Sequence, residues 1–321
     1  MTDWPNHAEP WHEWRDAMGG ARMHHGWILA GKEGLGKREF ALAAARELVA
    51  ESGIPQPTGD HPDIILLTHL PKDEKEEKKR EEGKPYQVKR NIAVAQIRAM
   101  QHRLITRPTL GSRRVIIIDP ADDMERGASN ALLKSLEEPP QGTFFLLVTH
   151  RPARLLPTIR SRCRILRFPD LSSGQIEQLL ERHAPDSTPA MRHSALRLSG
   201  GSYGAALGFI QQDLHEISEL LHQIAAAGDP LFQLRGQLVS AIGARPDRER
   251  MQAVLELART IVAHQAEGAG PDQRMPLIDA HAALVQLSAQ APTYNFDAGL
   301  LIMEIGTLLG NAAPASERAN V

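Results

Sequence analysis

Two hydrophobic patterns divide the chain. Up to residue 168, short unbroken apolar runs alternate with stretches of helical spacing, and from about Pro169 onward only the helical spacing is left. The runs in "GWILAG", "PDIILLT", "SRRVIIIDP" and "GTFFLLVTH" read as strands buried on both faces, the mark of a parallel sheet. Between them, "REFALAAARELVA", "VAQIRAMQHRL" and "SNALLKSLEEPP" read as helices, the last stopped by Pro139 and Pro140. Alternating strands and helices predict a doubly wound α/β sheet with its ligands at the carboxyl ends of the strands.

In the second half, the spacing of Ser172 and Gln175 suits a capping box, and "RHSALRLSGGSYGAALGFIQ" reads as two helices around Gly200 and Gly201. Further helices are expected to start at Asp229-Pro230 and at Pro246-Asp247 and to continue to about Leu309, before a frayed tail "NAAPASERANV". Residues 72–84 break both patterns. They hold six basic and six acidic side chains, so the expectation is a solvated helix or excursion without a function of its own.

Length, charge and cysteine content narrow the function. A chain of 321 residues exceeds the usual size of one core, so two or three domains are expected. A formal net charge of -2 gives no overall attraction for nucleic acid, which weakens the reading as a general DNA-binding protein. Cys163 is the only cysteine, which excludes a disulfide framework and a cysteine-rich zinc site within the chain and suits a reducing compartment. The N-terminus lacks the basic start and apolar stretch of a signal peptide, and no run is long enough to span a membrane. The expected location is the cytoplasm.

The stretch "GKEGLGKREF" lies between a strand and a helix, where backbone N–H groups and the helix N-terminus can face phosphates. Gly31, Gly34, Gly36 and Lys37 suit that task. Arg38 stands where such loops carry the Ser or Thr that binds magnesium, and a guanidinium has no lone pair to offer a cation. Asp119 ends "VIIID" as a magnesium-holding Asp would, but Pro120 follows where an active hydrolase has a Glu; Asp122 and Asp123 are expected to solvate the turn. Downstream, Arg160, Arg162, Arg164 and Arg167 suit a phosphate-binding patch, a solvated edge or one arginine presented to a neighbour. The residues alone leave these three open.

"SNALLKSLEEPP", then "FFLLVTHRP", then "SRC" at 161–163, in this order after the glycine loop and "IIID", resemble the bacterial clamp-loader branch of the AAA+ family. The resemblance implies an AAA+ P-loop domain at 1–168 with a parallel sheet, a small helical lid at 169–211 and an all-α collar at 212–321. Within the branch the chain is similar to the delta-prime family. Gamma or tau motor subunits would show Ser or Thr at 38, Glu at 120 and a sensor arginine where this chain has Gly204. The likeness implies a non-hydrolysing stator whose Arg162 acts in trans as an arginine finger, with Gly31, Gly34, Gly36, Lys37, Asp119 and Thr149, at the sensor-1 region, as a degenerate nucleotide site. No cofactor is then required, although ATP binding without hydrolysis stays compatible with the glycines and Lys37. The implied partners are delta and gamma or tau subunits and, through the complex, the beta sliding clamp and primed DNA. The alternative is a gamma- or tau-like ATPase that hydrolyses ATP itself. Members commonly carry a four-cysteine zinc module after the first helix. With Cys163 alone no zinc is expected, and His61 and its neighbours are expected at the surface.

Overall fold

The structure, a computed structural model, describes residues 4–20, 23–243, 246–291 and 296–314. The chain divides into two compact units, Met1–Leu171 and Ser172–Val321. In the first, strands β1 (Gly26–Ala30), β2 (Ile64–Leu67), β3 (Arg114–Ile118), β4 (Thr143–Thr149) and β5 (Arg164–Arg167) form one parallel sheet in the order β2-β3-β4-β1-β5. Ile28 of β1 lies opposite Leu147 of β4 and Ile165 of β5. The apolar runs of β1, β3 and β4 are buried almost throughout, as strands covered on both faces must be.

Around this sheet lie α1 (Ala8–Gly19), α2 (Lys37–Val49), α3 (Glu74–Glu81), α4 (Val94–Leu104), α5 (Arg126–Glu137) and the single turn α6 (Pro157–Arg160). Ile97 and Met100 of α4 and Leu132 and Leu136 of α5 share one core with Ile28, Ile116, Phe145 and Leu147 of the sheet. Burying each such side chain contributes about 1.5 to 3 kcal/mol, which fixes the strand ends that carry the site.

Two elements escape the sequence pattern. In β5, "RILR", arginines bracket the two apolar residues, as suits an edge strand beside β1, and the stretch reads as an arginine patch. Helix α1 has its apolar anchors in two tryptophans among charges. Trp11 packs on Phe40 with ring centres 4.3 Å apart, and Trp14 meets Trp27 at 5.3 Å.

The charged segment is a helix on a short hairpin, as the solvated reading expects. Lys72 N donates to Gln87 O (2.9 Å) and Lys89 N to Leu70 O (2.7 Å), while Asp73 caps α3 by accepting from Lys75 N and Glu76 N. Its charges pair locally, Lys79 with Glu76 and Arg80 with Glu77. His61 corrects the surface expectation. It is buried, with Nε2 3.0 Å from Gln56 Oε1 and Nδ1 accepting from Asp63 N, so its ring braces the turn into β2.

The second unit consists, among the described residues, of helices α7 (Ser173–His183), α8 (Pro189–Leu198), α9 (Tyr203–Gln211), α10 (His215–Ala227), α11 (Gln233–Ile242), α12 (Arg248–Gly268), α13 (Pro271–Gln290) and α14 (Ala298–Ala312). The capping box at Ser172 and Gln175 is present, and Gly200 and Gly201 take left-handed conformations between α8 and α9. Helix α11 begins at Gln233 rather than at Asp229-Pro230. The Asp229 carboxylate reaches forward to Leu234 N, Arg235 N and Arg235 Nε, which favours a turn before the helix. Asp247 caps α12 through Arg250 N, with Pro246 outside the helix, and α14 runs on to Ala312. The expected frayed tail lies, from residue 315, outside the described residues. No helix among the described residues is long and apolar enough to cross a membrane.

Candidate functional site

The carboxyl edge of the sheet brings six expected residues together. The glycine loop follows β1, Asp119 follows β3, and Thr149 closes β4, which lies between those two strands. Gly36, the N-cap of α2, has φ of 72°, which L side chains rarely adopt. A Cβ there would also lie 2.3 Å from the Trp4 ring.

The polar groups of this corner are turned on one another. Lys37, 3% exposed, donates from Nζ to Gly31 O at 2.8 Å and to Lys32 O, and burial draws its pKa down to about 8 against the pull of Asp119. Arg38 Nε lies 3.6 Å from Asp119 Oδ2. Burial raises the pKa of Asp119, and Arg38 is the leading influence holding it down. Magnesium does not fit this donor set, because the side chain at 38 is itself a cation and already sits on Asp119. Among the described residues no group of three or more His, Cys, Asp or Glu side chains is placed to hold a metal.

Asp122 corrects the expectation that it solvates the turn. Its Oδ1 accepts from Thr149 Oγ1, and its Oδ2 accepts from His150 N (2.5 Å) and Arg151 N (3.1 Å). Asp123 likewise sits 3.2 Å from His69 Nε2. The Asp122 bonds arise because β3 and β4 are neighbours and the Asp123 contact because β2 and β3 are, which spacing along the chain does not reveal. Burial also lowers the pKa of His150, with Lys37 the next cause.

The N-terminal segment adds a cover that the sequence pattern does not signal. His7, in the 3-10 turn Pro5–His7, stacks on Trp4 with ring centres 5.6 Å apart. Burial lowers the pKa of His7, and its Nε2–H donates to Leu35 O at 2.8 Å. Trp4 thereby rests against the loop at Gly36.

Arg162 lies elsewhere. It precedes β5, which runs parallel to β1, so it sits at the amino edge of the sheet, opposite the phosphate loop. Five residues of strand separate the two edges, roughly 15 Å. A Cβ on Gly26, at the start of β1, would meet Arg162 O at 3.1 Å and Cys163 Sγ at 2.9 Å, so that glycine gives "SRC" its close seat. Burial pushes the Cys163 thiol up to about 12. Arg162 itself is 35% exposed. Its NH1 donates to Thr158 O (3.0 Å) and Ser161 Oγ (3.4 Å), and its NH2 lies 2.7 Å from Glu137 Oε1. Arg164 is engaged by Glu13 at 3.0 Å and lies over the Trp27 ring. Gly204 stands in the first turn of α9, in the second unit.

A family model described as DNA polymerase III, delta subunit, matches residues 6–172. DNA polymerase III subunit delta' of Pseudomonas aeruginosa is 33% identical over 207 residues, 60% of this chain and 58% of that protein. The matched region thus spans less than two thirds of that relative. DNA polymerase III subunit tau of Escherichia coli is 30% identical over 241 residues, 73% of this chain and 34% of its own length. Among solved structures, a DNA polymerase III gamma subunit-related protein from Thermotoga maritima superposes with a TM-score of 0.53 at 18% identity, over 95% of this chain and 99% of that one, a likeness of fold.

Proposed function

Since the chain belongs to the DNA polymerase III delta subunit family, we propose that it is a delta-prime-type stator of a clamp loader. In this reading it hydrolyses no ATP and lends Arg162 to the ATP site of a neighbouring subunit. One observation carries the reading: Arg162 and the chain's own phosphate loop occupy opposite edges of one sheet. Across roughly 15 Å a side chain that ends in a guanidinium cannot serve its own loop, whereas a neighbour's triphosphate placed against the amino edge is within reach.

The loop corner supports the same division of labour. Arg38 on Asp119, Lys37 on the loop carbonyls and Trp4 against Gly36 describe a phosphate loop kept as scaffold. Pro120 offers no carboxylate to activate water. The gamma- or tau-like alternative would need a cation at the place Arg38 takes. No nucleotide is then required in the chain's own pocket, and no zinc. The ring would contain delta and gamma or tau subunits, act on the beta sliding clamp at primed DNA, and work in the cytoplasm. Residues 169–211 would serve as the lid and 212–321 as the collar.

The test measures ATP turnover by the isolated chain and by the reconstituted complex, with wild-type and Arg162→Ala protein. A turning-over complex that needs Arg162, beside an inactive isolated chain, is expected. Turnover by the isolated chain at the rate of the complex, or an Arg162→Ala complex as fast as wild type, would sink the proposal.

A further inference from the structure

The end of α5 forms a bracket around Arg162. Glu137 is the last residue of the helix, which Pro139 and Pro140 prevent from continuing. The preceding carbonyl, Leu136 O, accepts from His25 Nε2 at 2.9 Å, and the Leu136 side chain lies against the site of Gly26. The helix end is thereby tied to the start of β1, the strand on which Arg162 and Cys163 rest. From this fixed point Glu137 reaches Arg162 NH2 at 2.7 Å.

Donor bookkeeping shows what the bracket leaves available. A guanidinium has five N–H donors. Thr158 O and Ser161 Oγ take the two on NH1, and Glu137 takes one on NH2. Two remain, the second NH2 hydrogen and Nε–H, on a side chain that is 35% exposed. A free arginine would have to lose most of its rotamer freedom on reaching a phosphate, whereas a held one has lost it already. The carboxylate does this with a charge-assisted bond while two donors stay available.

We infer that Glu137 is the positioning residue for Arg162, holding its guanidinium ready for a neighbouring subunit's triphosphate. The inference rests on the stator reading and goes beyond it by naming the group that sets the arginine.

The experiment uses the reconstituted complex and compares Glu137→Gln, Glu137→Asp, Arg162→Ala and the double variant Glu137→Gln/Arg162→Ala. Glu137→Gln keeps the shape and removes the charge. The expected result is a kcat lowered by about 5- to 10-fold with KM for ATP within about twofold, because the group acts on the transition state through Arg162. Glu137→Asp should recover part of that loss, and the double variant should be no slower than Arg162→Ala alone, since both act through one guanidinium. Assembly, read by gel filtration, should be unchanged. Wild-type turnover by Glu137→Gln beside an impaired Arg162→Ala would overturn the inference, as would additive losses in the double variant or failure of Glu137→Gln to assemble. If Arg162→Ala itself turned over at the wild-type rate, the stator reading would fall instead.

Discussion

The two edges of the sheet treat their cations in opposite ways. At the carboxyl edge Lys37 is buried on loop carbonyls, the exposed Arg38 lies with Nε toward Asp119, and a tryptophan rests on the loop. At the amino edge Arg162 is about a third exposed and bracketed with donors to spare. Lys37, in the better motif, is the cation committed to its own loop. Nucleotide-loop descent and nucleotide chemistry are separate properties, and the difference lies in what each charge already touches.

Arg162→Ala should break this comparison most sharply. It removes the charge presented outward, and turnover by the complex should fall by about 10² to 10³ while the chain's own fold is unaffected. Steady-state kinetics on the reconstituted complex of the proposed stator give the answer. Next in size is Gly36→Ala, which forces an L side chain into the left-handed region and a methyl group into the Trp4 ring. A loss of about 2 to 3 kcal/mol is expected in urea unfolding, with a red-shifted tryptophan emission as the ring is displaced.

A smaller effect concerns Lys37. Its pKa is about 8 in the folded chain against 10.5 when exposed, so the unfolded state holds that proton more tightly. The disadvantage of burying the ammonium is fully present below about pH 8 and fades as pH rises toward 10.5. Wild-type stability should therefore climb relative to Lys37→Met across that window, by roughly 2 kcal/mol and at most about 3. Parallel melts from pH 7 to 10.5 check this, and equal slopes for the two proteins would count against a strained buried lysine. Arg38→Thr should matter least to stability, about 0.5 to 1 kcal/mol, because Arg38 is well exposed. It should also leave ATP turnover by the isolated chain at background, since Pro120 still offers no carboxylate.

Much of the first unit is legible because its strands are unbroken apolar runs, and the glycine loop, "IIID" and Thr149 mark the loop corner in the sequence. What escaped depends on distance in space. Asp122 reads as one more acid in a turn until β4 is set beside β3 and Thr149 comes into reach. Glu137 belongs to "LEEPP", which reads as a helix end, and only the parallel pairing of β5 with β1 brings Arg162 beside it. Trp4 was invisible for another reason, since an aromatic near a terminus carries no periodic signal. His61 shows the reverse error, a polar residue assigned to the surface that the fold uses as a buried brace.

Cys163, packed against Gly26 with its thiol held protonated at any ordinary pH, has a practical consequence. Maleimide should therefore label the native chain far more slowly than the unfolded one, a difference that a timed labelling assay reads directly. A single cysteine placed at an open position such as Gly174, where nothing lies within 4 Å of the added carbon, can carry a dye or spin label with the natural "SRC" left intact. The reconstitution tests proposed above could then be run on labelled protein without altering the residue beside Arg162.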